Sequence, residues 1–401
     1  MMGHVYEAFW VACLGLGTIA LRYLPMGAGS CRDCIRGMWV WLYMWGIMGF
    51  MIREIVRFPN LNQEFPEELY QFPFWVNIPA HVAVWLSWIL TAVHLWQFRV
   101  HRRSFVGAVA LVDRISDILL LPTTFGLLAL HCTRIIPQTP KDLWNATATL
   151  DAAEMFESWA LWSFQQLFIE YIASCSADVH DDRLFKHFSA NCQLGVKQYL
   201  IFIFASNSFE FVWRGVVDAR FPEFCRWVWG EETTCEEVFW RAEDHIVGAL
   251  WYSCTIAIVA ILRFEHAMTT ELSPLRPKWK FWGAKVIVTI ASVQRLGLWS
   301  LTLVSLWTEN CAWYLHAYLL CFETFLISIM HFCAYPEKEF QADGPLAQAG
   351  AAMSRVVPTV YGRVGENGEG GQADEGKVSD VESPMGSDPG EVELKAVVEK
   401  E

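Results

Sequence analysis

The chain has 401 residues, is 54% hydrophobic, contains 21 Trp and carries a formal charge of −13. A soluble protein averages about 45–50% apolar residues. Here the excess gathers in runs of about 20, which excludes one large water-soluble core and points to several membrane-spanning helices. The acidic balance offers no nucleic-acid surface, and the 12 Cys follow no paired CxxC or Cys/His zinc spacing, so neither a metal nor another cofactor is expected.

Nine apolar runs follow in order. The first, 5–24, lacks a basic leader and a small-residue cleavage site, so it is expected to be retained. The second, 37–53, is short enough to be interfacial instead of spanning. The Cys31-Arg32-Asp33-Cys34 sequence before it reads as a juxtamembrane turn. Residues 1–75 thus form an apolar hairpin and a lumenal loop. The remaining runs, 75–98, 106–131, 151–174, 195–216, 242–263, 281–304 and 312–334, make a seven-helix core over 76–340. Trp gathers at run ends and in Arg226-Trp227-Val228-Trp229, as in an interfacial aromatic belt. From 341 to 401 the chain holds twelve acidic and five basic residues and reads GENGEGGQADEG in its middle. Such a segment buries too little apolar surface to offset its ordering entropy, so a disordered cytoplasmic tail is predicted. Ser379, Ser383 and Ser387 in it lie among acids or before Pro and could be phosphorylated. The predicted fold is all-α, a polytopic helix bundle with an N-terminal hairpin and a disordered C-terminal tail.

Lys and Arg in short loops set the orientation. Arg99, Arg102, Arg103, Arg183, Lys186, Arg263, Arg276, Lys278 and Lys280 collect in one set of loops, predicted to be cytoplasmic. The alternate loops hold fewer, and Arg220, Arg226 and Arg241 are there offset by acids. The sequon Asn145-Ala146-Thr147 then falls on the lumenal side, close to the membrane. Cys225 and Cys235 share a lumenal loop, where a disulfide and two free thiols both fit. Cys175 and Cys192 flank a cytoplasmic loop and are acylation candidates, against the commoner role of small apolar packing.

The run over 150–173, LDAAEMFESWALWSFQQLFIEYIA, organises the core. At about 100° per residue, Glu154, Glu157, Ser158 and Gln165 share one face, and Ser163, Gln166 and Glu170 the opposite one. A helix with two polar stripes cannot face lipid on either, so it belongs inside the bundle. Charges at membrane depth are costly and mark function or buried pairs. Sorted by depth, Glu157 lies toward the lumen, Arg295 and Glu323 lie near the middle, and Glu170, Lys197 and Lys285 lie toward the cytoplasm. Arg295 and Glu323 sit thirteen residues before and fifteen after the turn at Thr308, at matched depth, and are expected to pair. Glu170 is expected to meet Lys197 or Lys285. The plain alternative is that such residues only hold helices together or snorkel.

Enzyme signatures are missing. There is no HExxH, GxSxG, P-loop or Gly-rich dinucleotide turn, and His180 beside Asp181 and Asp182 is a lone cluster.

Several segments carry a resemblance. Glu157–Tyr171, ESWALWSFQQLFIEY, is similar to a helix of pattern E-A-F-x-x-Y-x-F-L-x-L-x-x-E-Y, matched at Glu157, Phe164, Leu167, Glu170 and Tyr171. Gly195-Val196-Lys197 resembles V-V-K-P, with Gln198 in place of Pro. Ser273–Phe281, SPLRPKWKF, with Lys285, Ser292 and Gln294 resembles S-P-x-x-P-x-x-K-F-x-x-x-K…S-F-W-Q, with Val293 in place of Trp. Cys321-Phe322-Glu323 through Ala334-Tyr335 resembles C-x-E-M-F…A-F. In this order over about 76–340, these motifs resemble the organic solute transporter alpha / transmembrane protein 184 family. The resemblance implies a seven-helix membrane core with an extracellular N-terminal side and a cytoplasmic C-terminus. In one branch it implies passive movement of bile acids and steroid conjugates with a single-span partner; this chain looks no closer to that branch.

The function expected is transport of amphipathic organic solutes, meaning organic anions, sterol-like molecules or lipids, without ATP hydrolysis. Lys197, Lys285 and Arg295 would receive an anionic group, and Glu157, Glu170 and Glu323 would position them. Expected partners are such small molecules, the bilayer, and either a second copy of the chain or a single-span subunit. The rival is a non-transporting receptor-like or trafficking scaffold.

Overall fold

The computed structural model describes residues 30–57, 77–102, 109–138, 143–175, 183–213, 222–229, 235–272 and 275–336. They form helices α1 (Ser30–Arg57), α2 (Asn77–Arg102), α3 (Val109–Gln138), α4 (Trp144–Cys175), α5 (Arg183–Val212), α6 (Pro222–Trp229), α7 (Cys235–Ala267), α8 (Thr269–Leu272), α9 (Pro277–Leu303) and α10 (Glu309–Ala334). No strand occurs among the described residues. The apolar run 5–24, His180–Asp182 and the tail 341–401 lie outside them.

Four of these helices are long and apolar enough to cross a membrane, over Asn77–Phe98, Leu111–Pro137, Glu237–Ala267 and Glu309–Ala334. Local chemistry sets several ends. Pro277 opens α9, its fixed φ suited to a first turn, after Arg276 in the left-handed region at φ 49°. The Thr308 side chain caps α10 by accepting from Cys311 N–H at 3.4 Å, with Glu309 in the first turn.

α3 and α4 lie at the centre. α3 is buried along nearly its whole apolar stretch and packs on α2, α4 and α10; α4 packs on α3, α5 and α9. The polar stripes of α4 therefore meet other helices, with Glu157, Ser158, Ser163 and Gln165 all buried. α5 pairs with α7, and α10 with α2 and α9. One apolar cluster joins the C-terminal half of α4 to α5 and α7, and another joins α1, α2, α3 and α10.

Without a hydrophobic drive between helices in lipid, close approach and interhelical hydrogen bonds hold a bundle together. Gly195 of α5 lets α7 approach until a Cβ on it would stand 2.8 Å from Ala260 Cβ, and a Cβ on Gly126 would stand 2.7 Å from Thr324 Oγ1. Polar links follow the same seams. Ser87 and Ser328 hydroxyls meet at 2.6 Å, Tyr314 OH donates to Asn77 Oδ1 at 2.6 Å, Thr123 donates to Thr91 at 2.8 Å, and His331 Nε2 donates to Gly283 O at 2.7 Å.

The second apolar run is one stretch of a 28-residue helix packed on α2 and α3. The turn expected at Cys31–Cys34 is instead the first turn of α1, because helical hydrogen bonding continues unbroken from Ser30. Near its other end α1 inserts Glu54, which is buried, accepts from Arg134 Nε and lies 3.3 Å from His131 Nδ1. Arg134 of α3 is thus part of a buried ion cluster.

Candidate functional site

The interior charges gather where α4, α5, α7 and α9 meet. Glu157 of α4 accepts from Lys285 Nζ of α9 at 2.6 Å and from Tyr199 OH of α5 at 3.1 Å. Lys285 Nζ also lies 3.1 Å from Cys254 Sγ of α7. Glu157 is 1% exposed and Lys285 4%. The expectation had Lys285 at the level of Glu170, on the other side of the membrane from Glu157. Glu157 stands thirteen residues into α4, and Lys285 eighteen from the end of the antiparallel α9. The mismatch of five residues is about 7–8 Å of helix, which a long lysine stem largely spans.

Glu170 is taken by Arg114 of α3, with Nη2 at 3.0 Å and Nε at 3.2 Å. It faces the opposite side of α4 from Glu157, beside Ser163, which donates to Asp117 Oδ2 at 3.3 Å. Lys197 is exposed and sits 5.4 Å over the Trp162 ring. The structure therefore separates Glu170 and Lys197 from Lys285.

Arg295 and Glu323 do not pair. Glu323 Oε1 accepts from Gln294 Nε2, and Gln294 Oε1 accepts from His316 Nδ1 at 3.3 Å. The depth match holds, but the residue at that level facing α10 is Gln294; one residue along a helix turns the side chain by about 100°. Arg295 instead lies between α4 and the start of α10, with Nη1 3.9 Å from Asp151 Oδ1 of α4 and the guanidinium 4.8 Å over Trp313 of α10. Its side chain is 42% exposed.

Along α9, then, two cations differ in kind. Lys285 is enclosed and fully engaged, whereas Arg295 is loosely held, half open and backed by an aromatic ring. The second arrangement suits an incoming anion with an apolar body.

Cys225 and Cys235 are joined by a disulfide with Cα atoms 5.1 Å apart. Cys192 is buried in the α4–α5–α7 cluster, a packing position closed to an acyl chain. Cys175 is the last residue of α4 and Asn145 lies in its first turn; their side chains are outside the described set.

Comparison with known proteins adds one finding. The model of the organic solute transporter Ostalpha family matches residues 78–340. The chain belongs to the organic solute transporter Ostalpha family. Neither the curated proteins nor the solved structures give a match. Ostalpha proteins form a family of membrane solute transporters, and the four long apolar helices fit an integral membrane protein. The Ostalpha match begins one residue into α2 and ends beyond α10, so it holds Glu157, Glu170, Lys197, Lys285, Arg295 and Glu323 and leaves out α1.

Sequence reasoning missed Arg114, Tyr199, Cys254 and Glu54. A signal existed for Arg114. Adjacent antiparallel helices that turn near residue 140 bring together positions whose numbers sum to about 280. Asp117 with Ser163 and Arg114 with Glu170 both satisfy this. No such arithmetic exists for Glu157 and Lys285, which are 128 residues apart.

Proposed function

We propose that the chain moves amphipathic organic solutes (organic anions, sterol-like molecules or lipids) across a membrane without ATP hydrolysis, along the seam of α4 and α9. α2, α3, α4, α5, α7, α9 and α10 are the seven spans of this reading. The observation that carries it is the buried Glu157–Lys285 pair, ringed by Tyr199 and Cys254, beyond a half-open Arg295. Two charges taken out of water cost several kcal/mol each before their attraction is counted, and apolar packing often serves stability as well. A buried pair on the path of a solute instead forms a lock whose members can each exchange partners. Arg295, with Asp151 and Trp313, receives the anionic end. Lys285 takes it next, releasing Glu157 to Tyr199. Glu323, through Gln294 and His316, lines the α9–α10 side. Glu170 and Lys197 fall outside this path, the first as a helix–helix ion pair and the second as a surface cation.

The test is flux of a dansyl-tagged alkyl sulfonate into proteoliposomes. The wild-type chain gives saturable uptake above that of empty vesicles. Arg295→Gln raises the half-saturating concentration, and Glu157→Gln lowers maximal flux several-fold, because the freed lysine retains the anion. Uptake equal to that of empty vesicles would favour the receptor-like or scaffold role.

A further inference from the structure

α6 takes no part in that path. Phe224, Trp227 and Val228 stand at i, i+3 and i+4, which places them on one helix face. All three are exposed, Trp227 at 84%. Cys225 is buried, and its disulfide ties α6 to Cys235, the first residue of α7. The candidate membrane span of α7 begins at Glu237, two residues on, and its apolar run follows from 242 after the charged Glu236, Glu237 and Arg241. The end of α5 reaches the same point: Trp213 Nε1–H donates to Cys235 O at 3.1 Å, and Phe209 stacks on Phe239 with ring centroids 6.4 Å apart. Three chain segments are thus fastened at the polar first turns of α7, just ahead of its apolar run.

We propose that α6 is an interfacial anchor, with Phe224, Trp227 and Val228 seated in the headgroup–acyl boundary of the bilayer at a depth held by the Cys225–Cys235 bond. Its eight residues make a helix of about 12 Å, too short to span and suited to lying in the boundary plane. An indole there buries its ring and keeps its N–H in reach of polar headgroups. Size selects lipid over a protein partner. Aromatic side chains bury about 150–250 Å² each, so two of them and a valine stay well below the roughly 800 Å² per partner of a standard protein interface. Val212 at the end of α5, next to the Trp213 that bonds Cys235 O, is exposed as well.

The experiment places photoreactive p-benzoylphenylalanine at Trp227, at Val228, or at Trp251 as a reference on α7, in the full chain. Each protein is reconstituted in phosphatidylcholine vesicles bearing an alkyne on the acyl chain. Irradiation should attach lipid at all three positions. Cys225→Ala with Cys235→Ala should cut the yield at 227 and 228 several-fold and leave that at 251 unchanged. Chemical reduction of the assembled protein should do the same without a folding step. Cross-linking at 227 to a second copy or to another protein, or no lipid adduct there while 251 is labelled, would overturn the proposal. Adduct yields at 227 and 228 indifferent to loss of the disulfide would overturn the clamp.

Discussion

Lys285 shows how one side chain commits a bundle. Its ammonium meets a carboxylate from α4 and a thiol from α7, while the tyrosine that shares the carboxylate comes from α5. Removing one partner of a buried ion pair leaves the other uncompensated, which typically costs about 3–5 kcal/mol. Glu157→Ala and Lys285→Ala should each lower the melting temperature sharply in detergent, and the double change Glu157→Ala with Lys285→Ala should lose less than the two single changes summed. Additive losses would mean that the two groups do not interact. By contrast, Glu170→Gln should leave sulfonate flux unchanged, since its carboxylate is engaged by Arg114 across the α3–α4 seam. Altered flux in a well-folded Glu170→Gln protein would return that residue to the path.

Helices in this chain are fitted by small residues where they cross and by paired charges where they are remote in sequence. Gly195 and Gly248 form a natural control. A Cβ on Gly195 would stand 2.8 Å from Ala260, whereas nothing lies within 4 Å of one on Gly248. Gly195→Ala should destabilise by about 1–3 kcal/mol through overpacking, and Gly248→Ala should be neutral or stabilise by up to about 1 kcal/mol. Thermal melts of the two variants decide it; equal effects would place the α5–α7 crossing elsewhere. α1 makes the other case. It lies outside the Ostalpha match, yet Glu54 enters the interior to meet Arg134 and His131. Glu54→Ala should therefore cost about 3–5 kcal/mol, seen as lost folded yield, with partial rescue by Arg134→Met. A Glu54→Ala protein as stable as wild type would make α1 a peripheral addition.

Orientation belongs to the whole molecule. The basic loops predict a cytoplasmic side for the tail that ends at Glu401. A tag there should be cut by protease in intact cytosol-out vesicles, and its protection would reverse the topology. The α6 disulfide accords with the same arrangement, because Cys225 and Cys235 would then lie in an oxidising compartment.

Much of this was legible before any fold. The helical class, the long apolar runs and the burial of α4 on both polar faces follow from composition and a 3.6-residue period, because lipid tolerates neither bare backbone nor unpaired charge. The Ostalpha motifs likewise lie in plain order along the chain. Partner choice was another matter. Depth along neighbouring helices can be counted from a turn, which is why Arg295 and Glu323 looked paired. The phase that turns Gln294 instead of Arg295 toward Glu323 is set by how α9 leans on α4. Contacts between helices distant in the chain, Glu157 with Lys285 and Glu54 with Arg134, depend on the order of helices around the bundle. Hydrophobic periodicity carries no record of that order, since every helix presents the same kind of apolar face. Only tertiary packing distinguishes one neighbour from another.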